Sequence, residues 1–226
     1  MKSIFIYFFT ISLASVIVLS VVIIRFFDTD IKAKEQQTNK ITQQNNTMKK
    51  QEIATFGGGC FWCTEAIFDE LKGVEKVEAG YSGGETDNPT YADICTGTTG
   101  HAEVIHITFN ADEVTFAELL DIFFATHNPT TLNQQGADIG TQYRSVVFYH
   151  NEAQKTATQN FINALESAEV FENKIVTEIT AFDIFYKAED YHQDYYVNNK
   201  NQGYCNAVIN PKLIKFRKQF KDKLKK

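Results

Sequence analysis

Positive charge is scarce through most of this chain: between residues 51 and 211, seven Lys and Arg stand against 24 Asp and Glu. Phosphate backbones are held by clustered Lys and Arg, so this stretch excludes nucleic acid as a partner. Cysteine is also sparse, with four in the chain. Cys95 and Cys205 form no second close pair beside Cys60 and Cys63, which excludes a four-cysteine zinc site, and no metal is expected. The glycine run Gly57, Gly58, Gly59 lacks the Gly-Lys-Ser/Thr ending of a phosphate loop. No internal repeat is present. What remains is a chain of 226 residues, 43% apolar, sufficient for one globular domain with a substantial core.

The N-terminus has a different character. Residues 4–24 form 21 consecutive uncharged, mostly apolar positions. At about 1.5 Å per residue these cross a hydrocarbon layer of roughly 30 Å as a helix. A cleavable signal peptide is the rival reading, but the run is longer than the usual apolar region of one, and its small-residue site at Ala14 and Ser15 falls mid-run. The expectation is a single-pass membrane anchor over 1–27, a flexible polar linker over 28–50, and a catalytic domain over 51–226. Lys2 lies on one side of the run and Arg25, Lys32, Lys34 and Lys40 on the other, which leaves the side of the domain open. A translation start at Met48 would release a soluble cytoplasmic form. At the other end, residues from Lys212 onward carry eight basic side chains and one acidic one. Leu213, Phe216, Phe220 and Leu224 recur there at helical spacing. This predicts a terminal helix docked on the core with a solvated basic face, with contact to anionic lipid as the alternative.

Along the domain, residues 52–56 read as a strand, 61–71 as an apolar-periodic helix, 74–81 and 101–109 as strands, and 115–126 as a helix. A long polar loop over 127–142 precedes a buried-type strand over 145–149, a helix over 152–168 and a strand over 174–181. Residues 182–210 are irregular and aromatic apart from a short helix. Strand, helix, two strands, helix, strand predicts a two-layer α+β sandwich.

Cys60 is the first functional candidate. It lies between three glycines and a helix start, where unpaired N–H groups and the helix dipole favour thiolate over thiol. Glycines there let a substrate approach without side-chain obstruction. An inert, buried cysteine is the ordinary alternative. Cys60 and Cys63 together, as Cys-Phe-Trp-Cys, admit a general dithiol oxidoreductase of the thioredoxin type. Against this, the aromatics sit inside the pair and glycines precede it.

Gly-Cys-Phe-Trp-Cys-Thr-Glu at 59–65 resembles the signature of A-type peptide methionine sulfoxide reductases. Gly-Tyr-Ser-Gly-Gly at 80–84, Gly-Thr-Thr-Gly-His-Ala-Glu-Val at 97–104, Gly-Thr-Gln-Tyr-Arg-Ser at 140–145 and Tyr-His-Gln-Asp-Tyr at 191–195 are similar to that family's other blocks, in order. The likeness spans about residues 52–220, and the family's ferredoxin-like α+β sandwich with a mixed sheet agrees with the strand order above.

The resemblance implies reduction of methionine S-sulfoxide, in oxidised proteins and as the free amino acid, by a monomer without a metal or organic cofactor. Cys60 would attack the sulfoxide sulfur and become a sulfenic acid. Glu65 matches the family's acid, with its pKa raised by burial against Phe61 and Trp62. Tyr81 and Tyr143 match two tyrosines that hydrogen-bond the sulfoxide oxygen. Phe61 and Trp62 match the pocket for the substrate methyl, and Asp138 a loop acid that fixes the bound residue. His101, Glu103 and His192 fall in matching blocks and are assigned structural support. A second thiol must capture the sulfenic acid before it oxidises further. Cys205, in Gly-Tyr-Cys on an expected flexible segment, is preferred, and Cys63 is the alternative, at the cost of straining the first helical turn. Cys95 is a bystander. Thioredoxin would then be the reductant. A binding module for oxidised proteins that has lost turnover is the non-enzymatic alternative, which the complete Cys, Glu and Tyr set opposes.

Overall fold

The domain is organised around β1 (Gln51–Gly58), whose second half, from Ala54 to Gly58, is buried on both faces. The computed structural model describes residues 50–225. Beside β1 lie β2 (Val74–Ser82), β3 (Ala102–Asn110), β6 (Ser145–Tyr149), β7 (Glu178–Ala181) and β8 (Phe185–Lys187), in the order β7-β6-β1-β3-β2-β8. β6 and β7 are parallel and every other pairing is antiparallel, so the sheet is mixed. Two crossover helices, α1 (Phe61–Phe68) after β1 and α3 (Phe116–Thr126) after β3, complete two split β-α-β units. The α+β class expected from the element order is therefore what is found.

The core forms where both helices meet the sheet. Phe56 of β1 stacks on Phe123 of α3 at 4.9 Å and meets Phe68 of α1 at 5.8 Å. Full burial of each such ring stabilises the fold by about 1.5–3 kcal/mol. α3 begins on a Thr115/Glu118 capping box, and the short α2 (Tyr91–Cys95) on a Thr90/Asp93 one. α4 (Glu152–Ser167) is capped by Asn151. α1 differs: its N-cap is Cys60, whose side chain makes no capping bond. Its first-turn N–H groups are thus left to other acceptors.

Several boundaries depart from the sequence expectation for identifiable reasons. α1 stops at Phe68 rather than residue 71. Leu71 bridges to Leu224, and Gly73, at φ +79°, turns the chain so tightly that an added Cβ would come within 2.7 Å of Val114. The polar loop over 127–142 contains a hairpin, β4 (Gln134–Gln135) and β5 (Asp138–Ile139), closed by Gly140 N–H to Asn133. The irregular stretch contains β8, the short α5 (Tyr195–Asn198) and a π-helical turn, Cys205–Ile209. That turn corrects the expected flexibility around Cys205, which is fully buried and runs directly into α6 (Asn210–Gln219).

α6 buries Leu213 and Phe216. Arg217 pairs with Glu70, and Lys223 beyond the helix pairs with Glu118. The basic tail is thus docked on the core.

The expected membrane localisation is corrected. Among the described residues no helix is long and apolar enough to cross a membrane. The longest, α4, has 16 residues and carries Glu152, Lys155 and Glu166, whereas a span takes about 20 mostly apolar positions. The segment 4–24, on which the anchor expectation rested, and the linker lie outside the described residues.

Candidate active site

Cys60 sits at the junction of β1 and α1 and is nearly buried, with Cys63 one turn on, at 2% exposure, on the same helical face. All four cysteines are free thiols. The Cys60 and Cys63 thiols perturb each other's ionisation, and one proton is shared unequally between them. The interaction with Cys60 draws the Cys63 thiol down to about 7 against the effect of burial, with help from the Lys212 charge and the Tyr204 hydroxyl. The same interaction, then burial, pushes Cys60 well up. The dithiol therefore releases one proton near neutral pH and holds the other.

A buried carboxyl lies against this pair. Glu103 of β3, 2% exposed, accepts the Phe61 backbone N–H at 3.0 Å, so it occupies the open first turn of α1. Burial pushes its pKa to about 8, opposed by that N–H bond and reinforced by the charges of Asp138 and Cys63. At neutral pH Glu103 is thus mostly protonated. The hydroxyls of Tyr91 and Tyr143 are pushed up first by burial and next by the Glu103 charge, so both remain donors at any working pH. Tyr143 comes from the turn 141–143, tied to the segment after α2 by Thr141 Oγ1–H to Gly97 O at 3.2 Å.

The aromatic wall is built from α1 and the C-terminal segment. Trp62 stacks on Tyr195 at 3.6 Å and donates Nε1–H to His192 Nδ1 at 3.0 Å, while Phe61 is packed beneath it. Tyr204 meets the edge of Trp62 at 5.7 Å. Its hydroxyl donates to Asp138 Oδ2 at 3.2 Å and lies 3.8 Å from Cys63 Sγ. The hairpin bearing Asp138 is seated by Gln135, whose side chain packs onto Gly59 and bonds the Asn128 backbone through both Oε1 and Nε2.

Of the residues singled out in the sequence, Cys60, Cys63, Phe61, Trp62, Asp138 and Tyr143 are brought together. Two are placed elsewhere. Glu65 turns away from Cys60, accepting the Asp194 N–H at 2.9 Å and the Tyr195 N–H at 3.2 Å beside a separate cleft that includes Asp69 and Arg217. Burial does raise it, to about 7, as expected, but those two N–H bonds commit it to holding the start of α5. Tyr81 is fully buried and donates its hydroxyl to Glu189 at 3.0 Å.

In their places stand Glu103 and Tyr91, and Tyr204 joins them. Glu103 had a signal: a lone carboxylate inside the apolar run Ala102–Ile107, in a strand buried on both faces. Tyr91 had none beyond its cap. Cys205 is fully buried near Cys63, whose charge adds to the burial that raises its pKa. Among the described residues no cluster of three or more His, Cys, Asp or Glu could hold a metal.

Comparison with known proteins gives the family of the chain. The family described as peptide methionine sulfoxide reductase matches residues 52–224. The chain is 54% identical over 174 residues to the peptide methionine sulfoxide reductase MsrA of Saccharolobus solfataricus, covering 77% of this chain and 97% of that protein. It is 50% identical over 192 residues to the MsrA of Deinococcus radiodurans, covering 83% and 93%. Among solved structures it is similar to reduced Mxr1 of Saccharomyces cerevisiae, with a TM-score of 0.63 and 36% identity over 69% of this chain and 90% of that one. Methionine sulfoxide reductase A of Corynebacterium diphtheriae is similar at a TM-score of 0.62 and 33% identity, over 69% and 78%.

Proposed function

Since this chain belongs to the peptide methionine sulfoxide reductase family and carries out thiol-dependent reduction of methionine S-sulfoxide, we propose that Cys60 is its nucleophile and Glu103 its proton donor. The observation that carries this reading is the Phe61 N–H bond to Glu103, which holds a protonated carboxyl against the helix start that bears Cys60.

Cys60 Sγ attacks the sulfoxide sulfur as its proton passes to the Cys63 thiolate of the coupled pair, while Glu103 protonates the oxygen, which Tyr91 and Tyr143 hold by hydrogen bonds. Collapse moves the oxygen to Cys60 and releases methionine, so a thiol and a sulfoxide become a sulfenic acid and a thioether. Trp62, braced by Tyr195 and His192, forms the wall for the substrate methyl over Phe61. Asp138, oriented by Tyr204, meets the substrate backbone or amino group. The S epimer, free or within an oxidised protein, is the substrate.

The sulfenic acid is then captured with loss of water. The position of Cys63, one helical turn from Cys60, favours it as the first captor, because Cys205 must first leave its buried π-helical turn. Cys205 is the second thiol, able to take over the bond once that turn unwinds. A protein dithiol of the thioredoxin class returns two electrons and restores the thiols.

The deciding experiment is epimer-resolved turnover with dithiothreitol on wild type, Cys60→Ser, Glu103→Gln, Cys63→Ser and Cys205→Ser, with disulfide mapping after a single turnover. Cys60→Ser and Glu103→Gln are expected to abolish or cripple methionine formation. Cys205→Ser is expected still to form the 60–63 disulfide. A 60–205 bond in wild type with none at 60–63 would overturn the assignment of Cys63.

A further inference from the structure

The helix that bears Cys63 also packs against α6. α6 continues from the turn that buries Cys205 and presents Lys212, Lys215 and Gln219 at i, i+3 and i+7. Opposite them lie the end of α3, Asn128 and Gln135, enclosing a groove of about 230 Å³. One end of the groove abuts the redox centre, because Gln135 is the side chain packed on Gly59. Lys212 lies close enough to lower the Cys63 thiol. At the other end a wider hollow of about 410 Å³ shares Lys215 and Gln219 and adds the apolar walls Phe124 and Phe161.

Two lysines and no carboxylate line this groove. Most other cations are engaged: Arg144 with Glu178, Arg217 with Glu70, Lys187 with Glu78, Lys223 with Glu118 and Lys225 with Asp69. Lys212 and Lys215 have no anionic partner among the described residues. A partner with an acidic face is repelled by most of a surface in which acids outnumber bases more than three to one between residues 51 and 211, and attracted here.

We propose that the groove between α3 and α6 docks the protein dithiol that re-reduces the enzyme, receiving an acidic segment of that partner against Lys212 and Lys215. This rests on the thiol cycle proposed above. Docked there, a partner thiolate attacks Sγ of Cys63 in the 60–63 disulfide, Cys60 leaves as thiolate, and a mixed disulfide forms. The partner's second thiol breaks that bond, releasing Cys63 and leaving the partner oxidised by two electrons.

The test uses the full chain with exposed Lys215 changed to Glu and, as the neutral control, to Gln. Turnover of free methionine sulfoxide is driven in parallel by dithiothreitol and by a thioredoxin with its reductase. Lys215→Glu is expected to raise the KM for thioredoxin roughly fivefold, as expected for reversing one rim charge, and Lys215→Gln less. The dithiothreitol-driven rate and the sulfoxide KM stay at wild-type values, and the wild-type KM for thioredoxin rises with ionic strength while that of Lys215→Glu does not. An unchanged thioredoxin KM in Lys215→Glu, or a rise in the KM for an oxidised protein substrate instead, overturns the proposal. Absence of dithiothreitol-driven turnover in wild type would instead sink the thiol cycle itself.

Discussion

The backbone N–H of Phe61 and the carboxyl oxygen of Glu103 meet at 3.0 Å, joining the first turn of the helix that Cys60 begins to the middle of the sheet. The bond satisfies one of the N–H groups that the uncapped helix leaves open. It also fixes a buried, protonated acid beside a pair of thiols.

Glu103 and Glu65 are separable by isosteric substitution. Glu103→Gln keeps an acceptor for Phe61 but loses the proton, and kcat is expected to fall by about 10²–10⁴ with little change in fold. Glu65→Gln keeps kcat within a few fold. It loses one of two N–H acceptors at the start of α5, which costs about 1 kcal/mol of stability. Steady-state kinetics and thermal unfolding of both variants would show the reverse pattern if Glu65 were the acid.

Glu103 also predicts a pH dependence of stability. In the unfolded chain it ionises near its ordinary value of 4.5, whereas burial keeps it protonated in the folded protein up to about 8. Its contribution is fully present below pH 4.5 and is lost as pH rises through 8, because the folded state then binds more protons than the unfolded one. Urea unfolding of the reduced protein should show Glu103→Gln gaining on wild type steadily across that window. A difference independent of pH would mean that Glu103 ionises normally.

Gly59, at φ +90°, leaves no room for a side chain, since an added Cβ would lie 2.5 Å from Gln135. Gly59→Ala is expected to cost about 1–3 kcal/mol through backbone strain. It also displaces the hairpin that carries Asp138. The KM for sulfoxide should therefore rise, and calorimetry with kinetics on the same preparation would register both changes. Wild-type values for both would refute the close packing.

Tyr204 links the dithiol to the substrate loop through Cys63 and Asp138. Tyr204→Phe removes both contacts while preserving the ring against Trp62. The Cys63 thiol should then titrate higher, visible in the ultraviolet absorbance of the thiolate, and the sulfoxide KM should rise. An unchanged thiol titration would show that the hydroxyl does not reach Cys63.

Much of the fold was legible because period-two and helical apolar patterns are local. Strands β1, β2, β3 and β6 and helices α1, α3 and α4 fall close to where those patterns place them. The hairpin at 134–139 was not, because its two-residue strands are polar and are held by Gln135 on Gly59 rather than by their own pattern. The C-terminal segment misled in the opposite sense. Gly203 and the polar residues around it read as flexible, yet Cys205, Ile209, Leu213 and Phe216 bury themselves against the domain.

The site divides along the same line. The local motif around Cys60 groups that cysteine with its neighbour Cys63 and the aromatic pair Phe61 and Trp62, because four adjacent residues at a strand–helix junction must lie together. It does not reach Glu103, the acid we propose. Glu65 is near Cys60 in sequence, but five residues along a helix turns a side chain away from the N-cap and toward α5. Glu103, 43 positions from Cys60, reaches the helix start only because β3 lies beside β1 in the sheet. The sequence by itself determined that Cys60 stands between a glycine run and a helix start. The sheet order decided which carboxyl and which tyrosines face that thiol, because groups distant in the chain are brought together by strand pairing and burial, which no local pattern records.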